Sequence, residues 1–183
     1  MIIQMGLRKE LIHKRYVLGA HPILQHFMDR LKIPEIMSTY LPKDQRTHLS
    51  TEKTLTVVLH NILTHSMPLD EIAQWLQPLA EAHVGLESGE FLLVNDDRVA
   101  KALDHFYHSR HQDIFFRLAL RAIKLFKIDC QQIHQDTTTI TFSGRYDNWR
   151  TPTALAYGIN KDHRPDLKQL VLGLSVSADG AVF

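Results

Sequence analysis

One cysteine, Cys130, stands in a chain of 183 residues. A single thiol excludes an internal disulfide, and a reducing cytosol is the simplest setting for such a chain. Cys130 belongs to no metal or redox motif and is expected to be a small buried residue. No stretch approaches the roughly 18 uninterrupted apolar residues that a membrane span needs. The opening "MIIQMGLRKELIHKRY" lacks an apolar core long enough for a secretion signal. No glycine-rich phosphate loop, dinucleotide fingerprint or Gly-x-Ser-x-Gly elbow around Ser143 or Ser175 is present.

What is present is an ordinary globular composition, 44% hydrophobic and 22% charged, with a net charge of +1. The charge is unevenly spread. Residues 69 to 97 carry seven acidic and no basic side chains, whereas residues 98 to 127 carry seven basic and two acidic. The first sixteen residues carry four basic and one acidic. A basic segment permits a polyanion such as DNA as partner, while on charge alone a helix with a solvated basic face is the favoured reading.

The pattern reads as α+β, with a helical domain over residues 1–127 and antiparallel strands over 128–183. "HPILQHFMDRLKI" puts Ile23, Leu24, Phe27, Met28 and Leu31 on one helical face, with Pro34 as the stop. Ser50 is placed to cap a helix whose stripe is Leu55, Val58, Leu59, Ile62 and Leu63. A third helix lies between Pro68 and Pro78, with Trp75 packing beside Ile72 and Leu76. "EAHVGLESGE" reads as a loop. Asn95 is placed to cap a helix bearing Val99, Leu103 and Phe106. The next helix directs Ile114, Phe115, Leu118, Ala119, Ala122, Leu125 and Phe126 to a core.

Near residue 128 the period changes. "IHQDTTTITF" is β-branched and suits a strand. Residues 143 to 167 read as loop with a short strand at "LAYGI". "LKQLVLGLSVSA" reads as a largely buried strand, "DG" at 179–180 as a turn, and "AVF" as the start of a third strand. Ending there leaves a sheet edge open, so the strand domain is expected to be truncated.

Asp136 is the anomaly within this pattern. Asp disfavours strands and is costly to bury unpaired, so an acid in mid-strand is either an accident at an edge or a group held rigid for a purpose. A carboxylate on a rigid strand suits Mg²⁺ or Mn²⁺, and in two-metal phosphoryl transfer it can bridge ions about 4 Å apart. Two or three such groups must converge. The candidates are Asp162 and Asp166 in the following loop and Asp179 in the turn, where Asp is common as a turn former. His134, two residues from Asp136, is either a neighbour to a metal or an ordinary strand residue.

"HQDTTTITFSGRYD" followed by "YGINKDHRPDLKQLVLGLSVSADG" resembles bacterial insertion-sequence transposases of the DDE class, whose catalytic domain is ribonuclease H-like. The helical part, including "NDDRVAKALDHFYH", is similar to the N-terminal domain of those proteins. The resemblance implies that Asp136 is the first metal-binding, catalytic carboxylate of a triad using Mg²⁺ or Mn²⁺. It implies DNA at transposon ends as partner, possible homo-oligomers, and a place at the bacterial nucleoid. The family's second Asp and final Glu fall beyond the "DG" turn, so Asp179 does not fill the second position and the fragment is expected to be inactive.

Lys161, His163, Arg164 and Lys168 cluster within eight residues and suit contacts to DNA phosphates. The competing reading is a loop pinned internally by Arg164 with Asp162 or Asp166. Trp149, beside Arg145 and Arg150, could stack on a base or anchor its loop. His105, His108 and His111 are spaced by three, yet no carboxylate pair or cysteine completes a zinc set. Two further readings stand beside the transposase: a non-catalytic DNA-binding or oligomerisation module, and a small nuclease in which Asp136, Asp162 or Asp166, and Asp179 converge.

Overall fold

A computed structural model describes residues 15–43, 47–144, 155–159, 161 and 163–182. The chain divides into two units, residues 1–118 and 119–183. It is α+β, with six α-helices and a three-stranded antiparallel sheet among the described residues. None of the described helices is long and apolar enough to cross a membrane.

The first unit begins with α1 (His21–Leu31) and α2 (Ile33–Tyr40). Pro34 does not end α1. Lys32 does, by taking a left-handed conformation (φ 56°) while its N–H bonds back to Asp29 and Met28. Pro34 instead sits in the first turn of α2, where its missing N–H is not needed.

Helix α3 (Thr51–Thr64) is the centre of the unit. Leu55 and Val58 are buried as their spacing predicts, but Ile62 and Leu63 are 57% and 59% exposed. The helix buries Thr54, Thr56, Val57, His60 and Asn61 instead. Burying polar groups demands partners. Thr54 and Thr56 bond the carbonyls of Ser50 and Glu52, at 3.0 and 2.8 Å. Asn61 grips the chain after the helix, donating to the Met67 carbonyl at 2.8 Å and accepting its N–H at 2.9 Å. Ser50 stands at the N-cap, but its hydroxyl is buried and makes no cap bond.

Between Pro68 and Pro78, a 3₁₀ turn (Leu69–Glu71) leads into the short α4 (Ile72–Leu76). The segment expected as loop contains 3₁₀ turns at Glu81–Val84 and Glu90–Leu93. Asn95 caps α5 (Asp96–His108), its side chain accepting the Arg98 N–H at 2.8 Å. Helix α6 (His111–Phe126) follows. Of its expected core residues only Ile114 is buried, and Phe115 and Phe126 are exposed.

Two apolar clusters fill the first unit. One joins Leu49, Val57, Val58, Ile72, Val84 and Val99, among others, with Trp75 and Phe91 packed against it. The other joins Met37, Leu41, Leu55, Ala102 and Ile114.

In the second unit, β1 (Ile133–Phe142) pairs antiparallel with β3 (Lys168–Ser177) over ten positions, from Ile133↔Ser177 to Phe142↔Lys168. The short β2 (Ala156–Tyr157) pairs with the other edge of β3, giving the order β1-β3-β2. β3 is less buried than its apolar run suggests, for Val171, Leu172 and Leu174 are exposed. Of the expected third strand, Val182 forms a single bridge to Val176, and Phe183 lies outside the described residues. Cys130 is exposed rather than buried.

Candidate functional site

Asp136 lies in the fourth position of β1, directly opposite Leu174. Side chains alternate across a strand, so Asp136 shares its face with His134, Thr138 and Ile140, and with Leu172, Leu174 and Val176 of β3. This places an exposed carboxylate among apolar side chains of which Ile140, Leu172 and Leu174 are themselves exposed. Its Oδ1 accepts the N–H of Thr137 at 2.8 Å.

Of the other sequence-predicted carboxylates, Asp166 and Asp179 do not join it. Asp179 closes the turn after β3, accepting from the Ser177 hydroxyl and, at 3.4 Å, from the Asp129 N–H. Those hydrogen bonds hold its carboxyl below the usual range, Ser177 contributing most. Gly180 completes the turn at φ +87°, a conformation glycine adopts without strain. Asp166 is held by Arg164 through a two-pronged pair, 2.8 and 2.7 Å, which lowers its pKa and raises that of Arg164. Asp162 lies outside the described residues. No three His, Cys, Asp or Glu side chains come together to hold a metal ion among the described residues. Asp136 thus belongs to no group of three candidate ligands among the described residues.

The basic cluster sits at the other end of the ladder. Lys168 faces Phe142, six positions from the Asp136–Leu174 pair, or about 20 Å along the strand. Its ammonium lies 5.8 Å from the centre of the Tyr157 ring, in cation–π range. Arg164 is engaged by Asp166, so the internal-pin reading of this loop is realised there. His163 adopts a left-handed backbone (φ 53°), and Lys161 precedes it in a turn. Next to Tyr157, Gly158 lies under the Gln169 amide, where a Cβ would overlap it. Trp149, Arg145 and Arg150 lie outside the described residues.

Part of the basic run from Arg98 to Lys127 is also spent inside the fold. The Arg98 guanidinium donates to the Leu49 carbonyl, Arg110 pairs with Asp113, and Arg117 bonds the Tyr40 hydroxyl at 3.0 Å. The three spaced histidines act separately. His105 meets Thr51 at 3.2 Å, His108 meets the Asp104 carbonyl at 2.8 Å, and His111 lies against Phe106 and Tyr107.

Sequence reasoning passed over a buried polar constellation in the first unit. His21 and His60 are 1% and 0% exposed, and their Nδ1 atoms lie 3.2 Å apart. The usable signal was polar residues sharing a buried helical face with an apolar one: Thr54 and Asn61 lie three and four residues from Val57, with His60 beside them.

A family model described as a domain of unknown function, DUF4277, matches residues 14–120. The chain belongs to that family. The matched span covers more than half of the chain and coincides with the helical part, so Asp136 and the strand ladder lie outside it. No curated protein and no solved structure matches the chain.

Proposed function

We propose that this DUF4277 chain is the N-terminal part of a DDE-class transposase. The helical unit would hold DNA at transposon ends, and β1 and β3 would be the first strands of a ribonuclease H-like catalytic domain. The parent reaction would be hydrolysis and transesterification of DNA phosphodiesters, with Mg²⁺ or Mn²⁺ supplied to a carboxylate triad. The observation that carries the reading is Asp136 itself. It is an exposed acid in the middle of a ten-residue strand, within the motif that resembles those enzymes.

Within this chain Asp136 would contribute one hard oxygen ligand and the rigidity of a paired strand. Lys161, His163, Arg164 and Lys168 would contact the DNA backbone at the far end of β3. One carboxylate cannot do the chemistry alone, so the chain by itself is expected to be inactive. Mg²⁺-dependent strand transfer by this chain, abolished in Asp136→Asn, would overturn that expectation.

A second reading is a non-catalytic module that occupies transposon ends. It is favoured by the absence, among the described residues, of a second carboxylate on the Asp136 face. Both readings need DNA. Binding to the inverted repeats flanking the gene, compared with unrelated DNA at several salt concentrations, tests them together; equal affinity for both DNAs counts against each. Mn²⁺ then separates them. Selective broadening of NMR signals around Asp136, lost in Asp136→Asn, favours the catalytic fragment, and no selective broadening favours the module.

A further inference from the structure

We propose that the buried His21–His60 pair is an acid-sensitive latch that holds α1 against α3 and lets go when both rings are protonated. The hydrogen bonds fix which nitrogen carries each proton. The Gln25 amide nitrogen donates to Asp29 Oδ1 at 2.8 Å, so its oxygen is the atom turned to His60 Nε2, at 3.0 Å. An amide oxygen only accepts, so His60 Nε2 carries the hydrogen. A neutral His60 then has a bare Nδ1. The 3.2 Å contact to His21 Nδ1 requires His21 to donate from that nitrogen. His21 Nε2 is left as a bare, buried lone pair with no hydrogen-bond partner.

The donor chain thus runs in one direction, from His21 to His60 to Gln25 to Asp29. A first proton can enter at His21 Nε2 without breaking any of these bonds. A second, at His60 Nδ1, sets two N–H groups head to head at 3.2 Å, with ring centres 5.3 Å apart. Two imidazolium ions in that geometry repel, and neither reaches water.

The surroundings oppose charging. His65, at the end of α3, stacks on His21 with ring centres 6.2 Å apart, and Trp75 of α4 meets it edge-on at 5.5 Å. Burial, then His65, then His83 of the Glu81–Val84 turn lower the His21 pKa. Burial and then His21 lower the His60 pKa to about 4, with Asp29 of α1 opposing. Helices α2 and α5 also pack on α3, but among the described residues they bring no titratable group to bear on either ring.

The sign follows from proton counting. The folded rings hold protons less tightly than unfolded histidine at about 6.5, so the unfolded chain binds more protons between pH 6.5 and 4. Latch stability is complete above about pH 6.5 and lost on descent toward 4.

Two measurements on the full chain test the latch. Imidazole ¹⁵N NMR at pH 7.5 should show His21 as the Nδ1–H tautomer, the rarer form, and His60 as Nε2–H; finding His21 charged or protonated at Nε2 would overturn the proposal. Urea unfolding followed by helical circular dichroism is then compared at pH 7.5, 6 and 5. Below about pH 6.5 each proton taken up on unfolding raises the unfolded-to-folded ratio about tenfold per pH unit, so between pH 6 and 5 the wild-type ratio should rise between tenfold and a hundredfold. His60→Gln, which can still bond both neighbours, should remove about one factor of ten from that slope. An unchanged slope in the variant sinks the idea, and if the variant does not fold the tautomer measurement decides.

Discussion

Asp136 stands opposite Leu174 in the β1–β3 ladder, an acid paired across the strands with an exposed aliphatic side chain. Among the described residues no cation forms an ion pair with this carboxylate, and its Oδ1 accepts the neighbouring Thr137 N–H. Neutralising it should therefore leave the structure intact. Asp136→Asn is expected to change stability by no more than about 0.5 kcal/mol, as for an ordinary surface substitution. A thermal melt checks this, and a loss above about 2 kcal/mol would make Asp136 a structural residue.

Gly85 should be far less tolerant. Its φ is +76°, and an added Cβ would lie 3.1 Å from Gln25 Oε1 and 3.2 Å from Thr56 Cγ2. The left-handed conformation alone costs an L-residue roughly 1–2 kcal/mol, and the crowding adds to it. Gly85→Ala should lower the urea midpoint accordingly. An unchanged midpoint would mean the turn relaxes to another backbone conformation.

Asn61→Ala removes both hydrogen bonds to Met67 and leaves that residue's N–H and carbonyl short of partners. The expected loss is about 2–3 kcal/mol, since unmade buried hydrogen bonds cost more than made ones contribute. Hydrogen exchange of the Met67 amide should speed up in step. Slow exchange in the variant would show that another group has taken over.

Asn95→Ala tests the α5 cap. Losing the side-chain acceptor for Arg98 N–H should cost about 1 kcal/mol. Ser50→Ala, at the cap whose hydroxyl makes no bond, should cost less or even stabilise, because it removes an unpartnered buried group. Equal losses at the two sites would contradict this contrast.

Much of the architecture was legible because it rests on local chemistry. The change of period near residue 128, the β-branched run of β1, the Asp-Gly turn and the Asn95 cap each act through neighbours in sequence. What escaped was decided by tertiary contact. The burial of α3 is not given by its apolar stripe, because Thr54, His60 and Asn61 turn inward once partners such as Gln25 and Met67 arrive from elsewhere. Pro34 looked like a terminator because a proline does not show whether it ends one helix or begins the next. At the candidate site, the strand placement of Asp136 was readable. The engagement of Arg164 by Asp166 was open among alternatives until geometry chose one.

The ladder also has a consequence for how the chain acquires its structure. Strands β1 and β3 face each other across a connection of 25 residues, from 143 to 167. Closing such a loop costs entropy before the first ladder bond forms, whereas the helices need only their own turns and near neighbours. The helical unit is also first off the ribosome. Refolding should therefore be biphasic, with helical signal recovering ahead of the protection of the β1 and β3 amides.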